Sequence, residues 1–288
     1  MAVAEAYVPL APAQGRRVRA AAVSRRKLDV VAAALLPLLT VVALAAPLVA
    51  PHGPLTTVGT PESPPGAEGF LLGSDSVGRD ILSRVLYGLR SSWLSALVVV
   101  ALGLLVGGLV GLAAGARGGW LDNLLMRITD GFLALPAPVV AIAVVSSLGP
   151  GLTHTLLALS VVWWPFYARI VRGEVRALAA RPHVEAARLA GAGPLRVAFR
   201  HLLPGAVPAA VVTASLDLGT LVLTLAGLSF LGLGQSAPAP ELGADSARNL
   251  SYLLQDYWIP VLPGVVVGLL SLAANVAGDG VRNLMSDR

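Results

Sequence analysis

The 288-residue sequence has no cysteine, a single lysine and few charges of either sign. Without cysteine, the chain can form neither a disulfide nor a thiolate metal site. Nothing in it matches G-x-x-x-x-G-K-[ST], and the one lysine is Lys27, so a P-loop phosphate site is excluded. Charged residues make up 13% of the chain, whereas soluble domains carry about 25%. Together with the 56% hydrophobic content, this indicates a protein that lies mainly in a lipid bilayer.

Residues typical of other functional classes are also missing. The four histidines (His52, His154, His183 and His201) are dispersed without metal-ligand spacing, and no Ser/His/Asp grouping indicates a hydrolase. The net charge of +5 could suggest nucleic acid, but basic and aromatic residues do not alternate. In a membrane protein, arginines gather on the cytoplasmic side for topological reasons. We therefore expect no metal site, no catalytic site and no nucleic-acid partner.

Long apolar runs predict six transmembrane helices, because about 20 mostly apolar residues cross the hydrocarbon core. The run Gly131–Ala168 has 38 residues, and Gly149-Pro150-Gly151 divides it into two spans. Pro136 and Pro138 are expected to kink the first of these two spans. The other four runs are Val30–Ala50, Trp93–Ala116, Leu202–Leu228 and Tyr257–Gly278. The expected fold class is thus an all-α integral membrane protein.

Basic residues orient these helices. With both termini in the cytoplasm, 17 of the 21 lysines and arginines fall in inside segments, as the positive-inside rule requires. Residues 1–28 then form a disordered basic tail, 29–50 the first transmembrane helix and 51–92 an external loop with an amphipathic segment. Residues 93–288 form a core of five transmembrane helices that includes a cytoplasmic loop, 173–204. A removable signal peptide is the alternative at the N-terminus, but the apolar run is longer than a usual h-region.

Two local patterns predict how the core helices meet. Gly103, Gly107 and Gly111 recur every four residues, which permits membrane helices to pack closely. Gly118-Gly119 predicts a tight turn on the cytoplasmic side, with Asp122 as the N-cap of the third helix.

The loop 173–204 combines small residues with arginines. Val184–Ala190 is expected to form a short helix on which Ala186 and Ala187 leave room for another backbone, while Glu185 and Arg188 can pair on its surface. Two interpretations of this loop remain open. It is either a basic loop that lies on lipid headgroups or a docking helix for a soluble partner.

Asp217 lies 13 residues beyond Pro204, near the middle of a predicted span. A carboxylate at this depth costs about 2.5–3.5 kcal/mol on insertion scales, so it should face the bundle interior or water. It is either a polar point on a substrate path or a buried hydrogen-bonding group between helices. The residues alone leave both open.

The run VEAARLAGAGPLRVAFRHLLP resembles the EAA loop of bacterial ABC importer permeases. That pattern is Glu-Ala-Ala, three residues, Gly, nine residues, and a hydrophobic-x-Leu-Pro ending. His201 stands where the general pattern has Ile, and Arg-His-x-Leu-Pro resembles the peptide-importer branch. The resemblance implies that the loop is a coupling helix seated in a cleft of an ATPase subunit. The residues that it assigns to ATPase coupling are Glu185, Ala186, Ala187, Arg188, Gly191, Leu203 and Pro204.

Further stretches resemble the smaller permease of dipeptide, oligopeptide and nickel importers. They are LGSDSVGRDILSRVLYGLRSS (72–92), GGWLDNLLMRITD (118–130), LSFLGLGQSAPAPELG (228–243) and NVAGDGVRN (275–283). In the first of them, Asp75, Arg79, Asp80 and Arg84 either brace the outer face of the bundle or contact an external binding protein. Bracing is the favoured interpretation.

The resemblance implies a permease subunit of the bacterial cytoplasmic (inner) membrane. Its partners would be a second homologous permease, two ATPase subunits or domains, which bind ATP and magnesium, and an external substrate-binding protein. The chain itself would hold no cofactor. Short peptides are the first expected substrate class, and nickel chelates or another small solute are second.

The sequence departs from this family at one point. Relatives often carry Glu-Ala-Ala before LSFLGLG, whereas this chain has Leu225-Ala226-Gly227 and its intramembrane acid at Asp217. A proton-coupled secondary transporter using Asp217 and Asp130 is an alternative of another class, and a structural scaffold is a third. The secondary transporter would leave the EAA loop unexplained, and the paired cytoplasmic and external signatures argue against the scaffold.

Overall fold

Alanine, leucine and valine dominate the long apolar runs, which are helical in the computed structural model of the protein. The structure describes residues 12–67 and 69–286. Within these ranges, β pairing is limited to two isolated bridges, Thr57 with Arg79 and Ser74 with Asp80. A π-helical turn, Ala198–Leu202, lies between the α-helices that end at Val197 and begin at Leu203. The α-helices of the described ranges are α1 (Pro12–Val49), α2 (Ile81–Arg117), α3 (Gly119–Leu133), α4 (Ala137–Leu148), α5 (Leu152–Ala179), α6 (Pro182–Leu189), α7 (Pro194–Val197), α8 (Leu203–Phe230), α9 (Leu242–Arg248) and α10 (Trp258–Ser286).

The glycines of α2 form its contact with α5. A Cβ added at Gly107 would lie 2.3 Å from the Trp164 carbonyl oxygen, and one at Gly111 would lie 2.5 Å from that of Ala168. The backbones of the two helices therefore approach more closely than any larger side chain allows. This confirms the packing role predicted for the glycine repeat.

Helix length and composition account for most of the predicted membrane spans. In the described part of the chain, four helices are long and apolar enough to cross a membrane: α1 from Arg26 onward, α2, α8 with the turn before it, and α10. A fifth span arises if α3 and α4 are counted together. The sixth predicted span coincides with α5, which also carries His154, Pro165 and several arginines and is less apolar. The count of six and the orientation of the termini stay predictions.

The expected kink near Pro136 is a complete break. Helix α3 ends at Leu133, α4 begins at Ala137, and the two axes are bent by 84°. Proline removes a backbone donor and clashes with the preceding turn, so the helix ends before Pro136 and restarts after it. Gly149 and Gly151 likewise end α4 and begin α5, as their spacing predicts.

Helix α1 starts earlier than the sequence indicates. The expected disordered tail, 1–28, is helical from residue 12 onward, and residues 1–11 lie outside the described residues. Alanine and arginine, which are common in this stretch, have high helix propensity. The apolar part of α1 packs on α10, where a Cβ at Gly280 would lie 2.6 Å from the Ala33 nitrogen. The Asn283 amide also donates to Asp29 at 2.8 Å. The retention of this first helix stays a prediction.

Two apolar clusters organise the bundle. The larger joins α1, α2, α4, α5, α8, α9 and α10 and contains the fully buried Trp93, Tyr167 and Leu221. The smaller lies where α5 and α8 meet α6, and it contains Val175, Val184, Val197 and Leu202. The second cluster fixes the position of the candidate coupling helix.

Candidate functional site: the coupling loop and its supporting ion pairs

Helix α6 is set in place by its first turn. Pro182 occupies an early position where its missing N–H is not needed, and the preceding Arg181 is extended, as residues before proline prefer. Glu185 lies in the first turn, where a negative charge complements the helix dipole. Val184 is fully buried in the smaller apolar cluster. One face of α6 is therefore anchored to the bundle.

The end of α6 requires a glycine. Gly191 has φ of +83°, its N–H donates to the Arg188 carbonyl at 3.0 Å, and the Ala192 N–H donates to the Ala187 carbonyl at 3.0 Å. These two bonds form a Schellman motif, in which the residue after the cap is left-handed. The Gly of the EAA pattern thus has a backbone role in this chain.

The opposite face of α6 has no cover in the described structure. Glu185, Ala186, Arg188 and Gly191 are exposed, Ala187 is half-buried, and Leu189 is 86% exposed. The expected pairing of Glu185 with Arg188 is absent among the described ion pairs. Both charges are therefore free to meet another molecule.

Leu203 and Pro204 mark the return of the loop into the bundle. Leu203 is half-buried beside the smaller apolar cluster, and Pro204 is exposed in the first turn of α8. The predicted coupling residues thus lie in or beside the segment that packs on the smaller apolar cluster through Val184, Val197 and Leu202.

Asp122 does not act as the expected N-cap. Gly118 holds that position without a side-chain bond, while the buried Asp122 carboxylate accepts from Arg172 Nε at 2.5 Å and Nη2 at 2.8 Å. Arg176 Nη1 donates to the same carboxylate at 3.2 Å. Asp122 pairs with Arg172 instead of capping α3, because charge-assisted bidentate hydrogen bonds are stronger than a bond to a backbone N–H. The spacing of four residues between Arg172 and Arg176 was the available sequence signal, since it places both on one helix face.

These ion pairs connect α3 to the helix that leads into the coupling loop. Asp130 adds a second connection through Arg169, at 2.5 Å, but both side chains are more than half exposed. The α3–α5 contact therefore has one buried pair and one solvated pair. Sequence analysis did not identify either of them.

Asp217 is half-buried at the contact between α8 and α5. Its nearest polar neighbours are Tyr167 and Trp163, both on α5. The Tyr167 hydroxyl and Asp217 Oδ2 are buried, and neither has a hydrogen-bond partner in the described part of the chain. Asp217 Oδ2 thus faces the interior of this bundle, and both interpretations of the residue stay predictions.

Arg84 is the centre of the external network, which is the set of contacts made by the residues predicted to lie on the outer face. It is buried, its Nη2 donates to Asp245 Oδ1 at 2.6 Å, and its Nη1 donates to the Pro54 carbonyl at 3.0 Å and that of Pro238 at 3.3 Å. Its Nε also lies 3.7 Å from Asp75 Oδ2. One guanidinium therefore joins the first external loop to the loop around α9.

The other predicted external residues shape the same region. Asp75 Oδ1 accepts from the Arg79 backbone N–H at 2.9 Å, and Asp75 Oδ2 accepts from Arg79 Nε at 2.6 Å. Asp80 caps α2 by accepting from the Ser83 N–H at 3.0 Å. Asp75 and Asp80 are buried, as is Arg84, so three of the four residues predicted to lie on the outer face are buried within the protein.

Glu241 is a buried acid that sequence analysis missed. It is fully buried and caps α9, accepting from the Ala244 N–H at 2.8 Å and from Ser92 Oγ at 3.2 Å. Burial raises the pKa of the Glu241 carboxyl, and its hydrogen bonds oppose that shift. Its place before a short helix was the available sequence signal.

Comparison with known proteins identifies the family. The model of the family described as "Binding-protein-dependent transport system inner membrane component" matches residues 103–288. The chain belongs to this family. It is therefore an inner-membrane component of a binding-protein-dependent transport system, and the matched part runs from the glycines of α2 through the coupling loop to the C-terminal end.

Curated relatives of this inner-membrane component match beyond that range. A probable D,D-dipeptide transport system permease protein DdpC from Escherichia coli (strain K12) is 36% identical over 91% of this chain and 88% of its own length. A di/tripeptide transport system permease protein DppC from Pseudomonas aeruginosa is 41% identical, over 85% of this chain and 83% of its own. Both alignments extend upstream of residue 103.

Solved structures confirm the fold of this inner-membrane component. A chain of the MetNI methionine ABC transporter in an inward-facing conformation superposes with a TM-score of 0.56 and 23% identity. The match covers 70% of this chain and 96% of that one. A chain of an amino acid ABC transporter gives 0.53 at 16% identity, over 71% and 92%. The expected ABC permease fold is thereby confirmed.

Proposed function

We propose that this chain is the transmembrane permease subunit of an ATP-driven importer of short peptides, coupled to an ATPase subunit through α6. The observation that carries the proposal is the uncovered face of α6, which is anchored by the buried Val184 and presents Glu185, Ala186 and Arg188 outward. A helix lying on headgroups would instead place a face of large apolar residues in the lipid. The peptide relatives support the substrate class.

The partners follow from the same proposal. A second homologous permease would complete the pathway, two ATPase subunits would bind ATP and magnesium, and an external protein would deliver the substrate. Closing of the ATPases would push on α6. Because Val184 shares an apolar cluster with α5 and α8, the push reaches both helices at once. The bundle then rocks between inward- and outward-facing states about a central site.

The absence of cysteine makes this coupling directly testable. We would introduce Ala186→Cys into the otherwise cysteine-free chain, attach a thiol-reactive photocrosslinker, and illuminate the assembled transporter. We expect an adduct with the ATPase subunit whose yield changes when ATP is added. Leu254→Cys is the matched control, because Leu254 is 96% exposed on the predicted external side. An adduct from both positions, or from neither, would contradict the coupling role of α6.

The substrate is tested separately, on the external binding protein purified with the complex. Mass spectrometry of its bound ligand should show di- or tripeptides. A nickel chelate would replace the peptide assignment with the alternative of the same family, and the coupling role of α6 would stand. A chain that purifies without ATPase subunits would instead direct attention to Asp217 and a proton-driven mechanism.

A further inference from the structure

The smaller apolar cluster is bordered by a groove that shares only Arg188 with the residues of the proposed coupling role. It has a volume of about 920 Å³ and lies between the last two turns of α2 and the segment that joins α6 to α8. Its apolar wall includes Leu109, Leu112, Leu195, Phe199 and Leu202. Pockets for small molecules span about 300–1,000 Å³, so this groove is large enough to hold acyl chains.

The groove combines an open apolar wall with positive charge at its rim. Leu195 is 75% exposed, and Phe199 and Leu109 are each 52% exposed, so the wall is uncovered in this chain. Arg117 and Arg188 complete the lining, and none of the described lining residues is acidic. Neither guanidinium group has a hydrogen-bonding or ionic partner among the described residues.

The position of the groove along the membrane matches this chemistry. Arg117 is the last residue of α2, at the end of a membrane span that the positive-inside rule places in the cytoplasm. Leu112 and Leu109 precede it by about one and two turns, so they reach into the hydrocarbon region while the guanidinium stays at the headgroup level. Arginines at this level attract anionic lipids of the cytoplasmic leaflet.

We propose that this groove binds an anionic phospholipid, with its acyl chains against Leu109, Leu195 and Phe199 and its phosphate between Arg117 and Arg188. The site rests on the proposed function in one respect, the cytoplasmic placement of the coupling loop. Since Arg188 belongs to the exposed face of α6, the lipid lies beside the ATPase docking surface. Lipid in the groove would hold the loop that joins α6 to α8 against α2.

The test uses the full chain assembled with its partners in nanodiscs that contain diazirine-labelled phosphatidylglycerol or, in parallel, diazirine-labelled phosphatidylcholine. Adducts are mapped to peptides by mass spectrometry. We expect phosphatidylglycerol adducts concentrated on residues 109–117 and 195–202 and several-fold fewer from phosphatidylcholine. Because one basic residue near the surface contributes about 1 kcal/mol toward anionic lipid, Arg117→Gln should lower the phosphatidylglycerol yield by about five-fold.

Matched variants keep the test decisive. Arg127→Gln removes another exposed arginine, on α3 and outside the groove, and should leave the yield unchanged. Leu109→Trp keeps both charges but fills the groove, and it should remove the adducts on residues 195–202. Three results would each overturn the proposal. They are equal yields from the two lipids, equal effects of Arg117→Gln and Arg127→Gln, and adducts that form on the isolated chain but not on the assembled complex. Peptide uptake and the Ala186→Cys adduct, measured on the same complex, show separately whether the transport function holds.

Discussion

Asp122 on α3 and Arg172 on α5 form a bidentate ion pair, with Nε to Oδ1 at 2.5 Å and Nη2 to Oδ2 at 2.8 Å. This pair fixes the start of the broken α3–α4 helix to α5, the helix that leads into the coupling loop.

We expect Asp122→Asn to destabilise the bundle by about 1–2 kcal/mol, because it leaves Arg172 and Arg176 without their carboxylate. The loss is smaller than the 3–5 kcal/mol of fully buried pairs, since both arginines are partly solvated. Thermal unfolding of the purified transporter in detergent measures it. Asp130→Asn is the control, since its pair with Arg169 is exposed on both sides and should contribute under about 1 kcal/mol. Equal melting temperatures for the two variants would contradict this ranking.

Gly191→Ala should weaken the coupling loop without any steric clash. No atom lies within 4 Å of the added Cβ, but the backbone has φ of +83°, where a side chain costs about 1–2 kcal/mol. Substrate-stimulated ATP hydrolysis should fall while the expression of the permease is retained. Gly193→Ala is the matched control, because Gly193 lies two residues away with φ of −65° and open space around it. A loss of activity in both variants would assign the effect to side-chain bulk rather than to the Schellman motif.

Gly107→Ala should separate α2 from α5. Its Cβ would lie 2.3 Å from the Trp164 carbonyl oxygen, and overpacking of this kind costs about 1–3 kcal/mol. The neighbouring Gly108→Ala meets no atom within 4 Å and gains helix propensity, so it should keep or raise the melting temperature. Thermal unfolding of the two variants, measured side by side, distinguishes backbone contact from a general need for glycine in α2. If both variants melt alike, the close approach of the two backbones is not what the glycines provide.

Arg84→Gln tests whether the external network braces the bundle or contacts the binding protein. Removal of a buried arginine leaves the Asp245 carboxylate partly unpaired, and breaking such pairs costs about 3–5 kcal/mol. We expect a lower melting temperature with no specific loss of affinity for the binding protein. Arg90→Gln, on the same helix and without a described partner, serves as control. Weaker binding-protein affinity at an unchanged melting temperature would favour the contact role.

Features that depend on local sequence were predictable, whereas features that depend on contacts between distant residues were not. Spans and breaks were predictable, because hydropathy and the Gly149-Pro150-Gly151 turn act locally. Asp122 was misassigned because its partner, Arg172, is 50 residues away, and a cap is the only role that local spacing can indicate. Glu241 was missed for the same reason, since its burial depends on α2 and α9 meeting.

Asp217 shows how far a single buried charge can be interpreted. Its depth in the span was readable from the sequence, but the direction in which it points was not. The structure places it beside Tyr167 and Trp163 of α5, inside the bundle of this one chain. A structural contact and a point on a substrate path therefore stay alternative predictions for this residue.

Asp217→Asn separates these roles, because asparagine keeps the shape of the side chain and removes its charge. If the group only packs against Tyr167, the variant should retain peptide uptake in reconstituted vesicles, and its melting temperature should be unchanged or higher, since a buried charge is removed. Tyr167→Phe, which removes the facing hydroxyl, should behave likewise. ATP hydrolysis is measured on the same vesicles. If Asp217→Asn loses uptake while ATP hydrolysis and the melting temperature stay normal, the carboxylate lies on the substrate path. If uptake follows an imposed proton gradient without ATP, the secondary-transporter alternative is restored.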